Sequence, residues 1–153
     1  MTFNVEARAA LTRWIREVYK DSIVYEFFGE KSETASLDYR VTWVPEGYEL
    51  ISESINPNEY IAIYKNLESG KGTFIFNCYY LKDKDKINFA VNEEEYIRYE
   101  VNIRGVRAEV YESIGTDESH NLIWFDSDIG FNINAKINVN DMFKIAKSVK
   151  III

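Results

Sequence analysis

The segment from Tyr99 to Val110 leaves the backbone few choices. Apolar side chains alternate through Tyr99, Val101 and Ile103, the pair Arg104-Gly105 interrupts them, and alternation resumes at Val106, Ala108 and Val110. A two-residue turn at Arg104-Gly105 sets Ile103 against Val106, Val101 against Ala108 and Tyr99 against Val110, all on one face. Turn chemistry and burial therefore demand the same register. The opposite face then pairs Asn102 with Arg107 and Glu100 with Glu109, a like-charge pair that Arg98 and Arg107 relieve. A second hairpin, turning near Ser127-Asp128, sets Trp124 against Phe131 and Leu122 against Ile133 in the same way. A chain built on such pairs is committed to antiparallel sheet.

The same period of two reaches back to Ser22. Ile23 to Phe28 is aromatic and β-branched and ends at Gly29, with a polar loop from Glu30 to Ser36. Tyr39 to Val44 and Tyr48 to Ser54 flank a turn at Pro45-Glu46-Gly47. After a turn at Asn56-Pro57-Asn58, Tyr60 to Lys65 and Thr73 to Leu81 are joined by Asn66 to Gly72. The charged segment Lys82 to Lys86 separates this half from the next.

The ends of the chain read differently. Phe3, Ala7, Ala10, Leu11, Trp14, Ile15 and Val18 recur at three- and four-residue spacing, which predicts a helix over residues 1–20. Near the C-terminus Asn138 suits an N-cap, Asp141 the first turn, and Met142, Ile145, Ala146 and Val149 an apolar stripe. The expected fold is α+β: a curved antiparallel meander sheet with the N-terminal and C-terminal helices packed on one face. With 153 residues the chain is expected to form a single domain over 1–153. Ile151-Ile152-Ile153 is expected to pack on the sheet or pair as a last strand, because an exposed β-branched end invites pairing with another chain.

Charge narrows the function. Against 25 acidic side chains stand 18 basic ones, a formal net charge of −7, which disfavours nucleic acid and anionic membrane surfaces. The longest purely apolar run, Ile151 to Ile153, is far short of the roughly 18–20 residues of a membrane span. The N-terminus lacks the order of a signal peptide. The chain is thus expected to be cytoplasmic if Met1 is the natural start, or the soluble part of a longer protein.

Complete catalytic constellations are not legible. Cys78 is the sole cysteine and reads as a buried thiol in a strand; with one His and one Cys, a zinc site is not expected, and no cofactor is called for. His120 reads as a solvated loop histidine without a triad around it. Ser69-Gly70-Lys71-Gly72-Thr73 fails the phosphate-loop spacing, since Lys65 stands where its first glycine belongs and Gly72 where Ser or Thr belongs. Asp126-Ser127-Asp128-Ile129-Gly130 lacks most of a calcium loop and reads as a hairpin tip with solvated carboxylates. Glu93-Glu94-Glu95 reads as a solvated face or helix start. The unusual quantity is aromatic content, with 3 Trp, 11 Tyr and 9 Phe. Half-buried strands favour such residues anyway, but Trp43, Tyr48 and Trp124 are candidates for a ligand-binding site.

Four spaced signatures carry a family resemblance. They are Val44-Pro45-Glu46-Gly47-Tyr48, then Val101-x-Ile103-x-Gly105-x-x-Ala108, then Trp124 before a hairpin, then Ile145-Ala146-Lys147-Ser148-Val149. In that order and spacing, residues 38–150 resemble the bacterial domain of unknown function 4367 family. The resemblance implies a soluble extracytoplasmic module of Gram-positive bacteria, displayed behind a transmembrane anchor absent from this chain, in proteins that look like anti-sigma factors or lipoproteins. It implies no catalytic residues. More distantly, the architecture resembles the lipoprotein-carrier fold. The expectation is a non-enzymatic sensory or binding module of a membrane-anchored regulator, with an unknown protein, lipid or small-molecule partner. The alternatives are a small carbohydrate- or cell-wall-binding domain using exposed aromatics, and then a small hydrolase.

Overall fold

Antiparallel pairing dominates the computed structural model, which describes residues 13–29, 37–115 and 119–152. The chain runs through β1 (Arg13–Val18), β2 (Ile23–Phe28), β3 (Tyr39–Arg40), β4 (Tyr48–Asn56), β5 (Glu59–Asn66), β6 (Thr73–Tyr80) and β7 (Lys86–Phe89). A short 3₁₀ turn at Glu93–Glu95 leads into β8 (Tyr96–Ile103), β9 (Val106–Ser113), β10 (His120–Asp126) and β11 (Ile129–Ala135). The helix α1 (Val139–Ser148) and β12 (Lys150–Ile151) follow.

Seven strands form the main sheet in the order β4-β5-β6-β11-β10-β9-β8. It is two meanders joined at β6 and β11. After β6 the chain leaves for β7 in a separate three-stranded sheet, β1-β2-β7, and returns at the far edge as β8. Both hairpins adopt the register that their turns demand: Ile103 faces Val106, Val101 faces Ala108, Trp124 faces Phe131 and Leu122 faces Ile133. Arg104 and Gly105 both turn with positive φ, 52° and 88°, as a tight hairpin of this hand requires.

The main sheet is covered on both faces. Its helix face holds Phe74, Phe76, Val110, Leu122, Phe131 and Ile133, over which α1 lays Met142, Ile145 and Ala146. The helix starts at Asn138, whose side chain accepts from the Asp141 N–H at 2.8 Å, as expected of the N-cap. The opposite face, here the sandwich face, packs Tyr111, Ile123 and Phe125 against Ile23, Tyr25 and Phe27 of β2. This explains why Leu122 to Phe125 is buried without alternation: successive side chains enter different cores.

That second cover corrects the expected N-terminal helix. Arg13 to Val18 is a strand paired with β2, and the rest of the predicted helix, residues 1–12, lies outside the described residues. The helical spacing of Trp14, Ile15 and Val18 was misleading because Ile15 is half exposed and the inward row is Trp14, Arg16 and Val18. An arginine in the inward row breaks the apolar alternation by which a strand is recognised. Among the described residues the two-helix layer is likewise replaced by one helix on one face and a small sheet on the other. The expected strand from Tyr39 to Val44 shrinks to Tyr39–Arg40, which pairs with Lys150–Ile151. That pairing bears out a last strand for the C-terminal isoleucines, with the Ile152 N–H donating to the Asp38 carbonyl at 2.9 Å; Ile153 lies outside the described residues, as does the loop 30–36.

Candidate ligand cleft

On the helix face, four elements meet around Trp124. Its indole stacks on Phe131, the cross-strand partner, with ring centres 4.9 Å apart and planes 10° apart. Its other neighbour in register is Ala108, whose methyl leaves room beside the ring. Tyr39 of β3 meets Phe131 edge-on at 5.0 Å. Ile103 and Val106 close one side from the β8–β9 hairpin, and Ala146 and Val149 close the other from the end of α1. These groups line a cleft of about 340 Å³, within the range of small-molecule sites.

The rim is charged with both signs: Arg104, Lys150 and Asp126. Arg104 holds the cleft's shape. From its left-handed backbone at the hairpin tip, its Nη1 donates to the Val149 carbonyl at 2.8 Å, tying the hairpin to the helix C-terminus. Ser148 Oγ donates to Ile145 O at 2.6 Å, and the Thr42 hydroxyl donates to Ser148 O at 2.7 Å, so the helix end is anchored from both sides. Burial, with Asp126 nearby, pushes the Tyr39 phenol above its ordinary value and keeps it a neutral hydroxyl.

The three candidate aromatics do not converge. Trp124 is in the cleft floor but only 5% exposed, so little of its ring is open to a ligand. Trp43 is 38% exposed and sits beside Lys144, whose Nζ is 5.6 Å from the ring centre. Tyr48 packs on Phe74 at 5.7 Å, and its hydroxyl fills the space over Gly72, where a Cβ would stand 2.1 Å from it. Tyr39, Phe131, Arg104, Lys150 and Asp126 were missed by sequence reasoning. Phe131 alone could have been added, because the hairpin register already set it against Trp124.

The remaining motifs fall into structural roles. His120 is half-buried at the start of β10, not in a solvated loop, and its Nδ1 accepts from the Ser113 N–H at 3.0 Å. Ser69 to Thr73 is a hairpin loop in which Asn66 Oδ1 accepts from the Glu68 and Ser69 N–H groups. At the Ser127-Asp128 tip Asp126 is exposed, as expected, whereas Asp128 is 1% exposed, which corrects the solvated carboxylate expected there. Cys78 is fully buried, its Sγ 3.8 Å from the Leu37 carbonyl. Glu93–Glu95 is the short 3₁₀ turn. Among the described residues no group of three or more His, Cys, Asp or Glu side chains could hold a metal ion, and no helix is long and apolar enough to cross a membrane.

Comparison with known proteins gives one positive finding. Residues 38–149 match the model of a family described as Domain of unknown function (DUF4367). The match begins just before β3 and ends at Val149, so it takes in the main sheet and α1 but neither β1 nor β2. No curated protein matches the chain.

Proposed function

The chain belongs to the DUF4367 domain family, and from that premise we propose that it is a non-enzymatic binding module whose ligand enters the cleft over Trp124. The observation that carries this reading is the cleft itself. Its floor is aromatic and aliphatic, its rim charged, and its walls come from four elements braced by Arg104 and Thr42. Preformed concave sites with apolar floors and a few polar groups are what small ligands or a partner's side chain bind. The setting proposed with it is the one the resemblance implies, the extracytoplasmic part of a membrane-anchored regulator. A carbohydrate-binding reading has less behind it, because sugar stacking needs an open aromatic face and Trp124 is only 5% exposed.

The test is amide chemical-shift mapping of the labelled protein against a small-fragment library. Binders should perturb Tyr39, Ile103, Ala146 and Ile151 together, and Val106→Trp, which fills the cleft from the half-buried hairpin, should remove them. Binders that leave those amides still, or that ignore Val106→Trp, would overturn the assignment.

A further inference from the structure

The space between the two sheets holds a charged centre that the cleft does not use. Glu109, 1% exposed, projects from β9 into the sandwich face. Its Oε2 accepts from Arg98 Nε at 2.7 Å and from Arg16 Nη1 of β1. Arg98 Nη2 stands 2.7 Å from the same oxygen and 3.5 Å from Glu100, which Arg107 approaches at 3.9 Å. Beside this group the Tyr25 and Tyr111 hydroxyls share a hydrogen bond of 2.6 Å. Arg16, Arg98 and Arg107 therefore meet Glu109 and Glu100. The local sum is one positive charge, in a chain whose formal charge is −7.

A second cavity of about 280 Å³ opens onto this centre. Arg98 and Tyr111 form its polar wall with Tyr96, while Val18, Ile23 and Val91 form an apolar one. Ile23 and Val91, 2% and 1% exposed, make that apolar wall a buried one. Among the described residues neither Arg16 Nε nor Glu109 Oε1 finds a hydrogen-bond partner; both arginines converge on Glu109 Oε2, and with five N–H donors on each guanidinium that single oxygen does not occupy them all. The volume is slightly below that of sites for drug-sized ligands, which suits a molecule of a few carbons.

We propose that this inter-sheet cavity binds a short-chain monocarboxylate, its carboxylate on Arg98 beside the Tyr111 hydroxyl and its chain along Val18, Ile23 and Val91. An anion loses its hydration favourably only where it is paired and hydrogen-bonded, and guanidinium to carboxylate is the strong form of that pairing. The incoming charge also brings the centre to neutrality. The site is separate from the cleft over Trp124, on the other side of the sheet.

The experiment titrates the labelled protein with hexanoate and with hexan-1-ol near neutral pH. Hexanoate should move the amides of Ile23, Val91 and Tyr111, and the alcohol should bind about tenfold more weakly or worse. Arg98→Met should abolish the preference for the acid. Should that variant not fold, Val18→Trp at the partly exposed mouth should weaken hexanoate about tenfold with an unchanged circular dichroism spectrum. Equal affinity for acid and alcohol, still amides at saturating hexanoate, or indifference to Val18→Trp would each overturn the site. Shifts confined to Tyr39 and Ile151 would overturn it too, since they place hexanoate in the other cleft.

Discussion

Three buried tyrosine hydroxyls of this protein sit in two opposite circumstances. Tyr25 and Tyr111 satisfy one another between the sheets, whereas the Tyr79 hydroxyl finds no partner among the described residues and its ring lies against Gly130. A buried hydroxyl without a partner costs stability, and one in a hydrogen bond contributes modestly. Tyr79→Phe should therefore be neutral or raise stability by up to about 1 kcal/mol, while Tyr25→Phe should lower it by about 1 kcal/mol or more. Urea denaturation of the two variants, read by tyrosine fluorescence and circular dichroism, decides between these signs. Cys78 makes a different case. Burial pushes its thiol up to about 12, from 9.0, so the folded state prefers the neutral form. That preference contributes fully below about pH 9 and drains away as pH climbs toward about 12. Cys78→Val should accordingly lose less of its thermal midpoint across that range than the natural chain does.

At the scale of elements, the β8–β9 hairpin shows how much a turn can decide. Gly105 has φ 88° and no atom within 4 Å of where a Cβ would stand, so alanine there meets backbone strain and no clash. Gly105→Ala should cost about 1–2 kcal/mol in denaturant midpoint while keeping the register, which cross-strand contacts between Val101 and Ala108 in NMR spectra would confirm. A loss well above that would mean the turn does more than set backbone angles. This hairpin, the β10–β11 hairpin and α1 were legible because turn residues, cap and apolar period agree there. β1 was not, because its inward row includes Arg16, and the reason for an inward arginine is Glu109, 93 residues away. The like-charge pair of Glu100 and Glu109 was the visible trace of that need. The cleft was half legible for a similar reason: Trp124 and Phe131 share a register, whereas Tyr39, Val149 and Lys150 reach it only through the short β3–β12 ladder, whose two residue pairs leave no periodic pattern.

In the whole molecule, three layers depend on strands with two buried faces. β9 and β10 place Val110, Leu122 and Trp124 under the helix and Tyr111, Ile123 and Phe125 under β2, so neither face tolerates water. The family match covers only the main sheet and helix, which makes the outer sheet a separable question. β7 belongs to the matched span, yet its only partner in the described residues is β2, from outside it. A fragment of residues 38–152 would thus keep its helix face but bare Tyr111, Ile123 and Phe125, strip Glu109 of Arg16, and leave β7 unpaired. Exposed apolar patches of that kind drive association, and burial of several large side chains at about 1.5–3 kcal/mol each exceeds what a marginally stable domain can lose. The fragment should bind a hydrophobic dye and elute as aggregates, and adding the peptide of residues 13–29 should reduce both effects. A monomeric fragment that ignores the dye would show that the outer sheet is an accessory, and that the main sheet closes its sandwich face by other means.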